Sequence, residues 1–190
     1  MSPVEIVAAM LGIVTVWLVV RRSVWNYPFA LAMVALYFFV FVETKLYSDA
    51  LLQIFFFVIN CYGWWAWSRA PQVDDGVAVG LLADTSRLQW AGLTVAASIA
   101  LGWAMATYTD ASAPYVDAAV AGTSVSAQIL QSLRKVESWV LWIVADLIAV
   151  PLYLWKGLVP TAGLYLLFLA MAVAGFVAWL AKLEPRSSAA

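Results

Sequence analysis

Seven long apolar segments constrain the fold of this 190-residue chain more than any other feature. A helix needs about 20 apolar residues to cross a bilayer, and lengths of roughly 17–25 are tolerated. With 65% hydrophobic and 11% charged residues, the composition also excludes a soluble domain. The sequence therefore predicts an all-α integral membrane protein with seven transmembrane helices. The predicted spans are Val4–Val20, Trp25–Val42, Ala50–Trp67, Leu88–Tyr108, Val116–Leu133, Trp139–Trp155 and Leu158–Ala181.

Two of these spans need comment. The first is predicted to be a retained span, because it lacks the basic flank and small-residue cleavage site of a signal peptide. The fifth is diluted by polar side chains, which either line a water-filled route or place the segment partly at the membrane interface. Those side chains belong to Thr123, Ser124, Ser126, Gln128, Gln131 and Ser132.

The composition also narrows the classes of function. A net charge of −1 without a basic stripe argues against a nucleic-acid partner. The chain has no histidine, the commonest metal ligand, and its one cysteine, Cys61, cannot form an intramolecular disulfide. No Walker-type loop for ATP is present. We therefore expect no metal and no other cofactor, and the expected partners are the lipid bilayer and a small molecule.

The basic residues predict an orientation. If the N-terminus is outside, eight of the ten lysines and arginines fall on the inner side, and only Lys45 and Lys156 fall outside. By the positive-inside rule, the N-terminus is then external and the C-terminus cytoplasmic. Trp25, Trp67 and Trp155 fall at predicted span ends, which is typical of an aromatic belt.

The chain also repeats itself weakly. Sliding the sequence along itself by 112 positions, without gaps, superposes Arg22 on Arg134, Gly63 on Gly175, and Trp67 on Trp179. We call any two residues that this shift pairs counterparts. Three spans then form a triplet on each side of span four, which predicts a 3+1+3 parallel repeat of the SWEET-like kind. The predicted units are a first three-helix bundle (1–67), a loop and linker helix (68–114), a second bundle (115–181) and a cytoplasmic tail (182–190).

Asp146 is the one formally charged side chain in the middle of an apolar span. A carboxylate at that depth costs a few kcal/mol, so it normally faces a partner, a cavity or a ligand. Trp139, Trp142 and Asp146 are spaced i, i+3 and i+7, which places them on one side of a helix. We interpret Asp146 as a polar anchor in a substrate pathway; a structural carboxylate bonded to a neighbouring helix is the alternative.

A second polar face is predicted on span three. Asp49, Gln53, Asn60 and Trp64 follow one another at spacings of 4, 7 and 4 residues. Such groups either join helices by hydrogen bonds or bind a ligand. Because Asn60 and Asp146 both fall near the midplane, we predict a shared site for a flat, polar, heteroaromatic solute. A cationic ring would gain further from tryptophan faces.

Three runs follow one another along the chain: Trp25-Asn-Tyr-Pro28, Leu51–Phe57 with Tyr62–Trp67, and Glu137–Asp146. In this order they resemble the PnuC family of bacterial vitamin-precursor transporters, chiefly for nicotinamide riboside. The resemblance covers nearly the whole chain and implies a 3+1+3 helical fold, homotrimers in the inner membrane and facilitated diffusion. It also implies that net uptake follows from phosphorylation of the substrate by a cytoplasmic kinase. By position, the family's substrate groups fall on Gln53, Trp142 and Asp146.

The chain departs from the family's pattern at two positions. Nicotinamide riboside members carry an amide where this chain has Asp146, and some have glutamine at Asp49. A carboxylate suits the thiazolium of thiamine, but nicotinamide riboside is also a cation. Nicotinamide riboside is therefore the first expectation and thiamine the second; an integral-membrane enzyme is a remote alternative.

The expected mechanism is alternating access, in which one bundle rocks against the other. Proton coupling through Asp146 is a variant of this mechanism. The candidate flexing points are Gly63, Gly157, Gly175 and Pro151.

Overall fold

A computed structural model describes residues 3–43 and 47–183, and within these ranges the chain forms seven helices and one short hairpin. Each helix coincides with one predicted span, with small differences at the ends. The hairpin was not predicted. The helices are α1 (Pro3–Val20), α2 (Asn26–Glu43), α3 (Tyr47–Ser68), α4 (Asp84–Tyr108), α5 (Pro114–Ser132), α6 (Glu137–Trp155) and α7 (Val159–Leu180), and the strands are β1 (Gln72–Val73) and β2 (Gly76–Val77).

Six of the seven helices are long and apolar enough to cross a membrane, and α5 is the exception. Its position explains its polarity, because α5 packs against α3, α4 and α6 and ten of its 19 residues are buried. A helix surrounded by other helices needs partners for its polar groups rather than an apolar surface. One such partner is Thr94 of α4, whose hydroxyl donates to the Ser126 hydroxyl at 2.7 Å.

The helix contacts form a closed ring. Going round it, α1 packs on α2, α2 on α3, α3 on α5, α5 on α6, α6 on α7, and α7 on α1. Helix α4 packs on α5 from outside this ring, and most of its surface is exposed. The first three helices therefore meet the last three at two interfaces, α3 with α5 and α1 with α7.

Two pairs of aromatic residues make matching contacts in the two halves of the repeat. Tyr27 and Trp67 meet edge to face at 5.4 Å between ring centroids and 86° between planes. Their counterparts, Trp139 and Trp179, do the same at 5.5 Å and 88°. Because Trp67 and Trp179 are both completely buried, Trp67 belongs to the core and not to an aromatic belt.

The hydrogen bonds of these two tryptophans also correspond. The Trp67 indole N–H donates to the Gln131 carbonyl at 3.2 Å, and that of Trp179 donates to the Val19 carbonyl at 3.0 Å. Val19 and Gln131 are themselves counterparts in the repeat. Each bond joins one half of the ring to the other.

The residues between α3 and α4 cross one end of the ring, and we call residues 69–83 the strap and this end of the molecule the hairpin end. The turns α1–α2 and α5–α6 lie here, and each contains an arginine with positive φ, 57° at Arg22 and 58° at Arg134. The strap bonds to both turns: the Val77 N–H donates to the Arg22 carbonyl, and the Gly80 N–H donates to the Arg134 carbonyl, each at 3.1 Å.

Side chains reinforce the strap. Val77 is completely buried in the core that contains Trp67, Trp139 and Trp179. In the turn between β1 and β2, the Asp74 carboxylate lies 2.7 Å from the Lys182 ammonium. This hydrogen bond and the positive charge lower the pKa of Asp74 below its usual value.

Candidate functional site

Asp146 lies on α6 with only 4% of its surface exposed. Its carboxylate makes no hydrogen bond and no ion pair to any residue in the described part of the chain. The alternative role, a carboxylate bonded to a neighbouring helix, is therefore not what this arrangement favours. A buried carboxylate left without a donor favours a ligand that supplies one or that carries positive charge.

Trp142 lies one turn before Asp146 on the same face of α6, and its side chain is half-buried. Its indole N–H donates to the side-chain oxygen of Gln131 on α5 at 2.8 Å. The indole is therefore tethered at its polar edge, while the rest of the side chain packs against the core that contains Trp67, Trp139 and Trp179.

Asn60 of α3 is buried and bonded on both sides of its amide. Its nitrogen donates to the Phe56 carbonyl at 2.8 Å, and its oxygen accepts from the Gln128 amide of α5 at 3.0 Å. The connection from α3 to α6 thus runs through α5, since Gln128 and Gln131 lie one turn apart on that helix. The sequence pattern, which predicts a site shared by Asn60 of span three and Asp146 of span six, does not anticipate this intervening layer.

Gln53 lies two turns from Asn60 on α3 and is half-buried. Its amide makes no hydrogen bond to another residue of the described ranges. Its counterpart in the repeat is Tyr165 of α7, whose ring lies 4.9 Å from that of Tyr153 on α6 between centroids. The Gln53 amide and the Asp146 carboxylate therefore both lack a partner among the described residues.

The other three predicted site residues have different surroundings. Trp139 is buried against Trp179 and Gly175, which favours a packing role, although its indole N–H has no hydrogen-bond partner within the described residues. Trp64 is 40% exposed and lines an outward groove. Asp49 belongs to α3, but its side chain lies outside the described part. Binding by these three residues stays a prediction.

Sequence reasoning missed two residues as members of the site. Gln128 and Gln131 carried a signal, since both are amides in the most polar span, but which neighbours they bond could not be read from spacing.

Two open grooves lie on outer faces of the molecule. One, of about 370 Å³, is lined by Leu31, Cys61, Trp64, Trp65, Ser68 and Arg69. The other, of about 560 Å³, is lined by Ala113, Val116, Leu147, Ile148, Pro151, Leu152 and Trp155. Neither groove includes Gln53, Asn60, Trp142 or Asp146. A solute that contacts these four residues would therefore bind outside both grooves.

Comparison with known proteins decides the family. A sequence model of the family described as nicotinamide mononucleotide transporter matches residues 2–181. The chain belongs to this family. The resemblance to PnuC proteins is thereby confirmed, and the chain is a multi-pass membrane transporter rather than an enzyme.

Relatives in the nicotinamide mononucleotide transporter family align along most of the chain. The nicotinamide riboside transporter PnuC of Escherichia coli strain K12 is 27% identical over 215 residues, covering 100% of this chain and 90% of the relative. The riboflavin/roseoflavin transporter RibM of Streptomyces davaonensis is 26% identical over 178 residues, covering 92% and 83%. A crystal structure of the vitamin B3 transporter PnuC matches with a TM-score of 0.77 and 26% identity, over 93% of this chain and 80% of that one.

Proposed function

We propose that this protein transports nicotinamide riboside across the bacterial inner membrane. One observation carries the proposal: the buried Asp146 carboxylate, without a partner in the described chain, lies one turn from the half-buried Trp142 ring. A pyridinium ring stacked on Trp142 would bring its positive charge close to that carboxylate. The relatives named as nicotinamide riboside transporters support the substrate.

The amides of Gln53 and Asn60 are the groups that we expect to bind the ribose of nicotinamide riboside. Gln53 has an amide without a partner in the described ranges, and Asn60 holds an amide already oriented by Gln128. Both can exchange hydrogen bonds with ribose hydroxyls. Gln53 also lies on the side of Asn60 that faces the start of α3, which the charge distribution predicts to be external. A solute would thus meet Gln53 first and the Trp142–Asp146 pair next.

The proposed mechanism is facilitated diffusion by alternating access in a 3+1+3 arrangement, without a coupled proton. The matching contacts of Trp67 and Trp179, and the two interfaces of the ring, support two equivalent three-helix bundles with α4 as the connector. The bundles are residues 1–67 and 115–181. We place the hairpin end in the cytoplasm, and phosphorylation there would make uptake net inward. The resemblance implies homotrimers.

Thiamine is the second candidate substrate. The observation that favours it is the carboxylate itself, since a thiazolium gains from a negative charge. One relative is named as a riboflavin/roseoflavin transporter, so substrates differ among the relatives. Riboflavin, however, carries no positive ring for Asp146 to attract.

The test is direct binding to purified protein in detergent, with nicotinamide riboside, thiamine and riboflavin titrated side by side. The control variant is Asp146→Asn, which keeps the shape and removes the charge. We expect nicotinamide riboside to bind most tightly and to lose about tenfold in the variant, because the amide keeps a hydrogen-bond acceptor but no longer offers a negative charge to the pyridinium ring. Thiamine binding most tightly, and losing about tenfold or more in Asp146→Asn, would assign the second candidate instead.

Transport by a double variant tests the site. Gln53→Ala with Trp142→Ala removes both a hydrogen-bonding amide and the stacking face, so we expect uptake of labelled nicotinamide riboside into proteoliposomes to fall to background. Uptake at the wild-type rate would show that the solute binds elsewhere.

The driving force is tested in the same vesicles. Facilitated diffusion predicts that the label equilibrates to equal internal and external concentrations, whether or not a pH gradient is present. Accumulation that depends on the pH gradient would instead establish proton coupling.

A further inference from the structure

Gln131 makes two different hydrogen bonds, one through its backbone and one through its side chain. Its carbonyl accepts from the Trp67 indole at 3.2 Å, and its side-chain oxygen accepts from the Trp142 indole at 2.8 Å. Only 8% of Gln131 is exposed. Removing the side-chain acceptor would leave the Trp142 N–H without this partner in a largely apolar region.

Comparison with the other half of the repeat shows that only the backbone bond of Gln131 has an equivalent there. Val19 is the counterpart of Gln131, and its carbonyl accepts from the Trp179 indole at 3.0 Å. The packing of that position therefore needs only a backbone carbonyl, which valine supplies. The side-chain amide of Gln131 is an addition that the fold does not require.

The same contrast holds for the second amide of α5. Gln128 donates to the Asn60 oxygen at 3.0 Å, whereas its counterpart in the repeat is Val16. Gln128 and Gln131 are spaced i and i+3, so both point to one side of α5.

The residues that these amides hold are also apolar in the other half. The counterpart of Trp142 is Ala30, that of Asp146 is Val34, and that of Asn60 is Ala172. The polar set therefore occupies one of two related places in the ring. The amides of α5 occur where the candidate site occurs and are absent where it is absent.

We infer that Gln131 is a positioning residue, which fixes the plane of the Trp142 ring against a bound heteroaromatic solute. Gln128 does the same for the Asn60 amide. Together they make α5 the element that orients the two sides of the site, and this assignment rests on the proposed function. A side chain that becomes ordered only when the ligand binds loses conformational entropy, which weakens binding. A Trp142 ring that Gln131 already holds in place avoids that cost.

Gln131→Met tests this assignment, because methionine keeps the length of the side chain and removes the acceptor. We expect the Kd for nicotinamide riboside to rise by about tenfold, the size of one lost hydrogen bond. Gln131→Glu restores an acceptor oxygen and should recover most of the affinity. The matched control is Ser126→Ala, which removes another buried hydrogen bond of α5 at a site away from Trp142.

Two further measurements separate positioning from general stability. In a double-variant cycle, Gln131→Met should weaken binding no further once Trp142→Ala is present, since the amide acts through the indole. In an indole ¹⁵N–¹H spectrum, Gln131→Met should move the Trp142 signal, assigned from Trp142→Phe, and Ser126→Ala should leave it in place. This spectrum needs no ligand.

The outcomes distinguish the two levels of the proposal. Failure of the wild-type protein to bind any of the three vitamins contradicts the proposed function, and the inference falls with it. Binding by the wild type with an unchanged Kd in Gln131→Met, or an unmoved Trp142 signal, overturns the inference alone. Equal losses of affinity in Gln131→Met and Ser126→Ala would also overturn it, since both would then act through stability.

Discussion

At the scale of single residues, two glycines allow the aromatic core to form. A Cβ atom built on Gly63 would lie 2.5 Å from the Tyr27 hydroxyl oxygen, and one on Gly175 would lie 2.5 Å from the Trp139 ring. Such distances are well inside van der Waals contact, so only glycine lets the rings lie this close to the helix backbone. The two positions, expected from sequence to be flexing points, serve close packing; flexing there stays a prediction.

Gly175→Ala should therefore destabilise the protein by about 1–3 kcal/mol, because the added methyl group overpacks a rigid ring. Gly163→Ala on the same helix is the matched control, since a Cβ atom there meets nothing within 4 Å. It should be neutral, or stabilising by up to about 1 kcal/mol through helix propensity. Thermal unfolding of both variants in one detergent checks the pair, and equal midpoints would contradict the packing argument.

Residue type alone did not distinguish tryptophans of the core from those at the membrane interface or in a binding site. Trp67, which the sequence predicts at the interface, is buried in the core, and Trp139, whose binding role stays a prediction, is buried there too. Trp139 packs against Gly175, and Trp67 packs against Tyr27. Each partner lies on another helix, so the sequence pattern does not reveal it. Asp146, in contrast, could be identified from the sequence, because a carboxylate in the middle of an apolar span is unusual whatever its neighbours are.

At the scale of elements, the strap is held by backbone atoms of both turns at the hairpin end. Glu137 adds to this, because its carboxylate accepts from the Leu82 N–H at 3.1 Å and from the Arg87 side chain at 2.8 Å. Gly76 sits directly on the first turn: a Cβ atom there would lie 2.7 Å from the Arg22 Cβ and 2.8 Å from the Arg21 carbonyl oxygen.

Gly76→Ala should accordingly lift the strap from the α1–α2 turn and lower the free energy of unfolding by about 1–3 kcal/mol. Gly80→Ala offers a control in the same strap, since the nearest atom to its Cβ would be the Lys135 Nζ, at the end of a long side chain and 3.8 Å away. Unfolding midpoints measured by intrinsic fluorescence would reveal the difference. A Gly80→Ala variant as unstable as Gly76→Ala would contradict the argument that close packing on the Arg22 turn requires glycine at position 76.

The helices could be predicted and the strap could not. In lipid, each apolar run must satisfy its own backbone hydrogen bonds, so length and hydropathy are enough to place a helix. The strap instead depends on bonds such as that between Gly80 and Arg134, which join residues far apart in sequence. Polar composition between α3 and α4 predicts a loop and nothing about where it binds.

At the scale of the whole molecule, the two halves of the ring share specific bonds as well as helix packing. The Ser132 hydroxyl of α5 lies 3.5 Å from the Ile59 carbonyl of α3, across one interface. The Thr94 and Ser126 hydroxyls join α4 to α5 at 2.7 Å, outside the ring. If one bundle rocks against the other, the first pair must change its separation during transport, while the second pair moves as one unit.

Disulfides at these two places test the rocking motion in a Cys61→Ser background. Oxidation of Ile59→Cys with Ser132→Cys should stop nicotinamide riboside uptake in proteoliposomes, and a reductant should restore it, because the bond fixes α3 to α5. Oxidation of Thr94→Cys with Ser126→Cys should leave uptake at its reduced level, since it fixes α4 to a helix with which it already moves. Mass spectrometry establishes bond formation in each case. Undiminished uptake by the first pair would mean that the solute crosses without separation of α3 from α5, and the moving interface would then have to be that of α1 with α7 alone.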